Sequence, residues 1–517
     1  MKKEVKGIIA LSAVLAVLGG GLAVMKLTEK PEENNSSVVE ETTQPEGAGI
    51  ILVEDSTSPP RPTAADEITN GFAESYVKTV RVVNQTDELN VILKNAPADS
   101  TPATYTLRGY EELDVDTSLV GTLANNADGL VSASLIEEDS KELGKYGLEQ
   151  PSVTVELEYG SGNVRKFYIG DTAPIKSQTY LRVDGSNDVY TVATSAIANY
   201  SKTPKEFINK TILAEPSEDE YPVINSLRIE RDDIDYDILL ELGKYTNDSN
   251  AGGTSAAHVM VEPVEVGITV ERSQDITNGM FGLRADDIYR LHCKEADIAE
   301  SGLSDPFCRV TMSCDDGNDY ILLLSEQFAD EDGDKYCYGM LEGGKVIYTI
   351  KAEDARWVSV MPVDMASRMM VTSMVWNITE YSISCSNGDS VSFEITPLRD
   401  DITVTNASAE DYTVKKNGEE CEFERFRALY GFLINGNGED LAFGEPVPDN
   451  EPLMTLKYTD SYIKETVTME FYEKSAMTAL VVINGESKYT CSLSYVNTFI
   501  ENVKRAETGE EYLTTWK

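Results

Sequence analysis

Alternating apolar and polar positions between glycine-bearing turns dominate the chain from about residue 76 to its end. In one example, residues 153–157 alternate Val-Thr-Val-Glu-Leu and lead into the turn Gly160-Ser161-Gly162. Period-two alternation bounded by such turns is typical of antiparallel hairpins with one buried face. The pattern therefore predicts a body built largely from β-meanders.

The alternating pattern recurs along the chain. Gly302-Leu303 stands 155 residues after Gly147-Leu148, and each pair precedes a proline, an alternating run and a glycine turn. Further along, we align Tyr180-Leu181 with Tyr336-Cys337 and residues 189–192 with 347–350, and a third, more divergent copy starts near Ile378. Helix-like segments follow or interrupt the strands, at residues 195–207, 353–361, 420–433 and 495–504. Strands with segregated helices predict an α+β class.

The predicted architecture is an N-terminal transmembrane helix, a disordered acidic tether, and tandem modules of antiparallel β-meander sheets with covering helices. The predicted parts are a cytoplasmic N-terminus (1–6), a transmembrane helix (7–25), the tether (28–70) and three modules (76–215, 220–374 and 375–517).

The segment 7–25 carries no charged residue, and its length nearly matches a hydrocarbon core of about 30 Å. Lys2, Lys3 and Lys6 precede it, so we expect the N-terminus to stay cytoplasmic and the body to be extracytoplasmic. A cleaved signal peptide ending at Gly21-Leu22-Ala23 remains an alternative.

Residues 28–70 are rich in Glu, Thr, Pro, Ser and Gly, with few large apolar side chains. Such a segment buries too little surface to offset its ordering entropy and is predicted to be a disordered tether. Val38-Val39 and residues 50–53 are apolar exceptions that could dock as a short strand.

The formal net charge is −45, with 89 acidic against 44 basic residues. This charge repels nucleic acid and anionic lipid headgroups, so neither is expected as a partner. The seven cysteines form no C-x-x-C pair, which argues against a disulfide framework or a zinc site, although a Cys308–Cys337 disulfide is left open.

The first copy resembles the domain-of-unknown-function family 4340 (DUF4340). The resemblance rests on the motif Tyr146-Gly147-Leu148-x-x-Pro151, the strand end Tyr168-Ile169-Gly170, and the tyrosines Tyr180 and Tyr190. It implies a membrane-anchored, extracytoplasmic β-rich protein, often encoded beside ATP-binding cassette transporters, with no catalytic residues to transfer. We expect its motif residues to be architectural: Gly147 takes a positive φ at a helix end, Pro151 starts an edge strand, and the tyrosines pack on a sheet face.

A search for reactive groups gives no catalytic, cofactor-binding or metal-ligating residues. His258 and His292 are the only histidines, too few for a three-histidine metal site. Ser461-x-x-Lys464 matches the pattern of serine acyltransferases but falls in a predicted hairpin turn. The acidic runs 315–319 and 330–334 match turns better than calcium loops.

The sequence therefore predicts a non-enzymatic, extracytoplasmic interaction or scaffold protein, single-pass in the cell membrane and accessory to a transporter-type complex. The alternative is a protein that binds an envelope polymer or small ligand by stacking on tyrosines such as Tyr105, Tyr110, Tyr180 and Tyr338. A hydrolase that uses paired carboxylates is a third class, because a chain this acidic contains chance pairs.

Overall fold

The computed structural model describes residues 50–51, 76–98, 101–128, 133–174, 177–246, 248–254 and 256–516. Among these residues, no helix is both long and apolar enough to cross a bilayer. The segment 7–25 and most of the predicted tether lie outside them. What they form is mainly antiparallel β-sheet, so the predicted α+β class is wrong, and the described residues contain no helix that supports the predicted transmembrane one.

Sheet 1 is formed by the first part of the chain. Its strands are β1 (Ile50–Ile51), β2 (Val77–Val83), β3 (Glu88–Asn95), β4 (Thr104–Leu107), β5 (Ala133–Glu137), β6 (Val153–Tyr159), β7 (Val164–Thr172), β8 (Gln178–Val183) and β9 (Val189–Ala193). They lie in the order β1-β5-β9-β8-β7-β6-β2-β3-β4. Its helices are α1 (Thr117–Asp128) and α2 (Thr194–Ile197), with 3₁₀ turns at Leu143–Tyr146, Ala198–Ser201 and Pro204–Phe207.

Sheet 2 follows in sequence. Its strands are β10 (Ile224–Arg231), β11 (Ile238–Leu242), β12 (His258–Glu262), β13 (Val266–Gly267), β14 (Asp287–Leu291), β15 (Cys308–Cys314), β16 (Asp319–Leu324), β17 (Phe328–Ala329), β18 (Lys335–Leu341) and β19 (Val346–Lys351). The order is β13-β12-β11-β10-β15-β16-β18-β19-β14, with β17 paired to β18. The helices are α3 (Val270–Thr277), α4 (Glu295–Glu300) and α5 (Pro362–Met365), with 3₁₀ turns at Glu218–Glu220 and Arg356–Val358.

Sheet 3 completes the chain. Its strands are β20 (Ile378–Cys385), β21 (Ser390–Pro397), β22 (Tyr412–Lys416), β23 (Glu419–Cys421), β24 (Met454–Asp460), β25 (Glu465–Glu473), β26 (Thr478–Ile483) and β27 (Glu486–Ser492). They lie in the order β23-β22-β21-β20-β24-β25-β26-β27. The helices are α6 (Phe423–Ile434) and α7 (Leu493–Thr508), with 3₁₀ turns at Val375–Asn377 and Ala409–Asp411.

The three sheets share one order of strands. Read from β5, sheet 1 runs β5-β9-β8-β7-β6-β2-β3-β4, and sheet 2 read from β14 runs β14-β19-β18-β16-β15-β10-β11-β12. Sheet 3 read from β27 follows the same order without a counterpart of β5. There, the irregular segment 439–442 bonds to β27 instead, with Ala442 N donating to Lys488 O at 3.0 Å.

A register shift occurs at the same place in each sheet. The first long strand loses register by one residue just after Val77, Ile224 and Ile378, where each pairs with its meander strand. An extra residue on one strand of an antiparallel pair is a β-bulge, which bends and twists that strand. The shared bulge shows that the correspondence extends to individual positions.

One buried core runs through all three sheets. It joins side chains as far apart in sequence as Val80, Leu240 and Phe426, each 0% exposed. Because the core is continuous, the sheets do not separate the chain into independent bodies, and the module boundaries at 215–220 and 374–375 stay a prediction.

The strand pairing corrects one step of the sequence comparison. Leu181 pairs with Ile169, and Gly339 pairs with Leu324, so Tyr180 corresponds to Tyr338 and not to Tyr336. A shift of two residues leaves the alternating pattern unchanged, which is why the pattern did not reveal the error.

Candidate interaction surface

At its β16, β18, β19 and β14 end, sheet 2 has apolar side chains on both faces. Along β18, Cys337 faces the shared core, while Tyr336, Tyr338 and Met340 alternate onto the opposite face, which we call the outer face. A small second cluster is buried there, formed by Leu303, Leu323, Met340 and Ile347. Leu303, which follows helix α4, belongs to this cluster, so the segment after α4 covers part of the outer face.

Four rings continue beyond this covered part, and we call them the aromatic row: Tyr289, Tyr338, Phe328 and Tyr336. The ring centroids of Tyr289 and Tyr338 are 4.3 Å apart, those of Tyr338 and Phe328 4.7 Å, and those of Phe328 and Tyr336 6.2 Å. Neighbouring planes differ by only 28–37°. At one end, the guanidinium of Arg290 lies 4.0 Å from the Tyr289 centroid.

The rings at the other end of the row have less packing against buried side chains. Tyr289 and Tyr338 pack on the buried outer cluster, whereas Phe328 and Tyr336 are not among the rings that pack on any buried cluster of the described chain. Both are half-buried. Phe328 lies on β17, and Tyr336 is its cross-strand partner on β18.

Carboxylates surround this end of the row. Burial raises the pKa of Tyr336, the nearby charges of Asp286, Asp330 and Asp334 raise it further, and the charge of Lys351 lowers it. Burial also raises the pKa of Tyr338, as does its neighbour Tyr289. The phenols therefore stay neutral at physiological pH.

On the equivalent outer face of sheet 1, the tyrosines have polar and charged partners within the same part of the chain. The Tyr146 hydroxyl donates a hydrogen bond to Glu137, and the Tyr168 hydroxyl donates one to Asp184 at 2.7 Å. The Arg182 guanidinium lies 4.5 Å from the Tyr168 ring centroid. Sheet 1 thus satisfies its outer tyrosines with its own carboxylates and cations.

In both sheets, a glycine ends the segment that covers the outer face. Gly147 has a φ of 66° and Gly302 a φ of 73°, in the left-handed region that favours glycine. The predicted role of Gly147 at a helix end is confirmed, because it follows the 3₁₀ turn Leu143–Tyr146 directly. Pro151 does not start an edge strand, since β6 pairs on both sides with β7 and β2.

The four predicted stacking tyrosines do not come together. Tyr105 is only 4% exposed, Tyr110 packs beside His292 with centroids 4.9 Å apart, and Tyr180 packs on Tyr146 at 4.8 Å. Of these four residues, only Tyr338 belongs to the aromatic row. Its other members were missed as a site, although two aromatic residues two positions apart beside an acidic turn, Tyr336 and Tyr338, were a usable signal.

The two histidines have structural surroundings. His258 is 7% exposed, its Nε2 lies 2.7 Å from Ile224 O, and burial lowers its pKa. Strand pairing places His258 where sheet 1 has Tyr105, whose hydroxyl donates to Val77 O at 3.1 Å. His292 has a φ of 49° and lies 3.0 Å from a Glu112 oxygen.

The remaining candidates lie in turns or in the core. Ser461 and Lys464 occupy the turn between β24 and β25, as predicted, and the Ser461 hydroxyl donates to Asn377 O at 3.0 Å. Within the described residues, no group of three or more His, Cys, Asp or Glu side chains could hold a metal ion. All seven cysteines are free, including Cys308 and Cys337.

The β11–β12 loop connects sheet 2 to sheet 3. Asn250 makes two of the contacts: its carbonyl accepts a bond from Asn377 Nδ2 at 2.6 Å, and its side-chain oxygen accepts one from Val404 N at 3.0 Å. Beside the loop lies a cleft of about 680 Å³. Its charged lining residues are Glu241, Lys244, Asp248, Glu265 and Glu465.

Residues 106–236 match the family model described as "Domain of unknown function (DUF4340)". The match supports the resemblance found in the sequence, and it runs from β4 past the end of β10. No curated protein and no solved structure matches the chain.

Proposed function

We propose that this chain is a non-enzymatic interaction or scaffold protein that is retained at the cell membrane through its apolar segment 7–25. In this proposal, its sheets work outside the cytoplasm, beside a transporter-type membrane complex. The charge-free segment 7–25, preceded by three lysines, supports the location. The resemblance to DUF4340 supports the setting.

The aromatic row carries the proposal. Contiguous apolar groups that remain partly exposed on a folded protein mark interaction sites, and aromatic residues are enriched in such sites. Phe328 and Tyr336 add little to the buried core, so their place on the outer face is better explained by contact with another molecule.

Site-specific photo-crosslinking in intact cells tests the proposal. A photoreactive residue at position 332, in the exposed turn beside the row, is expected to form an adduct with a membrane protein. The same residue at position 219, exposed but before β10, is the matched control and should not form that adduct. Recovery of no membrane-protein adduct from position 332 would contradict the proposal.

Protease added to intact cells tests the location separately. We expect the residues after 76 to be digested, because they lie outside the cytoplasm. Protection of these residues in intact cells, with digestion only after lysis, would place them on the other side of the membrane.

The cleft beside the β11–β12 loop favours a second candidate, the binding of a small ligand or envelope-polymer fragment. Its volume of about 680 Å³ is within the usual range for ligand sites. A panel of soluble cell-wall oligosaccharides, added during thermal unfolding, is expected to raise the melting temperature under this candidate. An unchanged melting temperature across the panel would count against it.

A further inference from the structure

We infer that the aromatic row receives a short, extended segment of a partner polypeptide that carries lysine or arginine. This inference rests on the proposed function and adds the chemistry of the partner. It is drawn from the rings, from the charges around them and from the contrast with sheet 1.

Two tyrosine rings of this protein already have a guanidinium group close to them. Arg290 lies 4.0 Å from the Tyr289 centroid at one end of the row, and in sheet 1 Arg182 lies 4.5 Å from that of Tyr168. At the other end, none of the described lysine or arginine side chains lies over the ring of Phe328 or Tyr336. An aromatic face attracts a cation through its quadrupole, so this end can accept one from a partner.

The charges near this end favour the same occupant. The carboxylates of Asp286, Asp330 and Asp334 raise the pKa of Tyr336 and Lys351 lowers it, so the negative groups near the ring outnumber the positive one. Glu331 and Asp332 add two exposed acidic side chains in the same turn. A cationic side chain can therefore meet a ring and a carboxylate together.

The length of the row indicates that it binds a polypeptide segment and not a single small cation. The rings belong to β14, β18 and β17, and the successive centroid separations of 4.3, 4.7 and 6.2 Å give a path of about 15 Å along the row. An extended peptide covers that distance with roughly four residues. A protein with a net charge of −45 repels nucleic acid and anionic membranes. We therefore take a basic polypeptide as the partner.

Binding of matched synthetic peptides to the full-length chain in detergent tests the inference. The probe is an eight-residue peptide of alternating glycine and arginine, and the control peptide has citrulline at each arginine, which keeps the shape and removes the charge. We expect the arginine peptide to bind at least about tenfold more tightly, and its binding to weaken as salt rises.

Two variants locate the site. Phe328→Leu with Tyr336→Leu keeps apolar bulk and removes the ring faces, and it is expected to weaken binding about three- to tenfold. Asp330→Asn with Asp334→Asn is expected to weaken binding and reduce its salt dependence. The amide introduced at position 330 keeps an oxygen that can accept the turn's backbone bonds, which Asp330 accepts from the amides of Asp332 and Asp334. Unchanged melting temperatures would confirm that both variants fold.

Matched controls separate the row from general attraction. Tyr221→Leu removes another partly exposed ring, and Glu218→Gln with Asp219→Asn removes two exposed charges elsewhere. Both should bind the arginine peptide within about twofold of the parent. Absence of binding by the parent, equal binding of the citrulline peptide, or equal losses in the controls would overturn the inference.

The result of the peptide-binding test can be distinguished from the result of the crosslinking test of the proposed function. If position 332 crosslinks to a membrane protein but the leucine variant binds the arginine peptide as well as the parent, the function stands and the cationic chemistry fails. If the peptide binds at the row but no membrane partner is captured, the chemistry stands and the function fails.

Discussion

The outer faces of sheets 1 and 2 have the same strand order and the same glycine at the end of the covering segment, yet their surfaces differ. In sheet 1, Tyr146 and Tyr168 donate to Glu137 and Asp184. In sheet 2, the less packed end of the row contains a phenylalanine, Phe328, whose side chain has no polar atom that needs a hydrogen-bond partner. The comparison teaches that one scaffold supports both a self-contained face and an open one.

The covering segments give the sharpest test of this comparison. A Cβ at Gly147 would lie 2.5 Å from Asp171 Cγ and 2.8 Å from Asp171 N, whereas at Gly302 its nearest neighbour is Ser325 Cβ at 3.7 Å. Gly302→Ala is therefore expected to lower the free energy of unfolding by about 1–2 kcal/mol, the cost of the left-handed backbone. Gly147→Ala adds a steric clash and should cost about 3 kcal/mol or more. Urea denaturation measures both, and equal losses would show that the two segments are held in the same way.

Tyr105 in sheet 1 and His258 in sheet 2 occupy equivalent positions, and the difference between them should make stability depend on pH at the sheet 2 position. Burial lowers the pKa of His258 below its unfolded value near 6.5, so the unfolded chain takes up the proton first as pH falls. Stability from this site is therefore complete above about pH 6.5 and declines below it, by at most about 1.4 kcal/mol per pH unit. His258→Tyr, which copies sheet 1, should have a shallower loss between pH 7 and pH 5. An unchanged slope in denaturation curves at both pH values would contradict this.

The outer tyrosine hydroxyls of the two sheets should differ in how much they contribute to thermal stability. Tyr146→Phe removes a hydrogen bond to Glu137, whose pKa is lowered chiefly by that bond, and we expect the melting temperature to fall by about 2 °C or more. Tyr338→Phe in the row should leave it nearly unchanged. Scanning calorimetry compares the two, and a larger loss for Tyr338→Phe would reverse the assignment of the self-contained face.

The smallest expected effect is at the open end of the row. Phe328→Leu should change the free energy of unfolding by no more than about 0.5 kcal/mol, because the ring is only half-buried. Phe167→Leu in sheet 1 is the matched control, since that ring is 1% exposed and its loss should cost about 1 kcal/mol or more. Similar losses in denaturant would show that Phe328 is needed for the fold.

Local patterns predicted much of sheet 3. The third copy, expected to start near Ile378, begins with β20, and the expected helices at 420–433 and 495–504 overlap α6 and α7. These elements were predictable because alternation and helical spacing are properties of neighbouring residues. The apolar exception at 50–53 also proved partly right, since Ile50–Ile51 forms β1 and pairs with β5.

Non-local features were not predictable in the same way. The segment 195–207 was expected to be one helix but forms α2 and two 3₁₀ turns, with the last turn starting at Pro204, which cannot donate a backbone bond. The aromatic row depends on β14 and β18 lying on either side of β19, which no local pattern reveals. Sequence reasoning therefore found Tyr338 without its neighbours.

The first long strand of each unit lies in the middle of its sheet, and this placement affects how the protein is made. Val80 pairs with Leu157, which emerges much later during synthesis, and Leu227 and Met312 repeat that arrangement. Until the later strand arrives, one edge of the nascent hairpin has unpaired amide and carbonyl groups that can associate with other chains. We therefore expect slow folding, dominated by distant contacts, and a need for chaperone protection during synthesis.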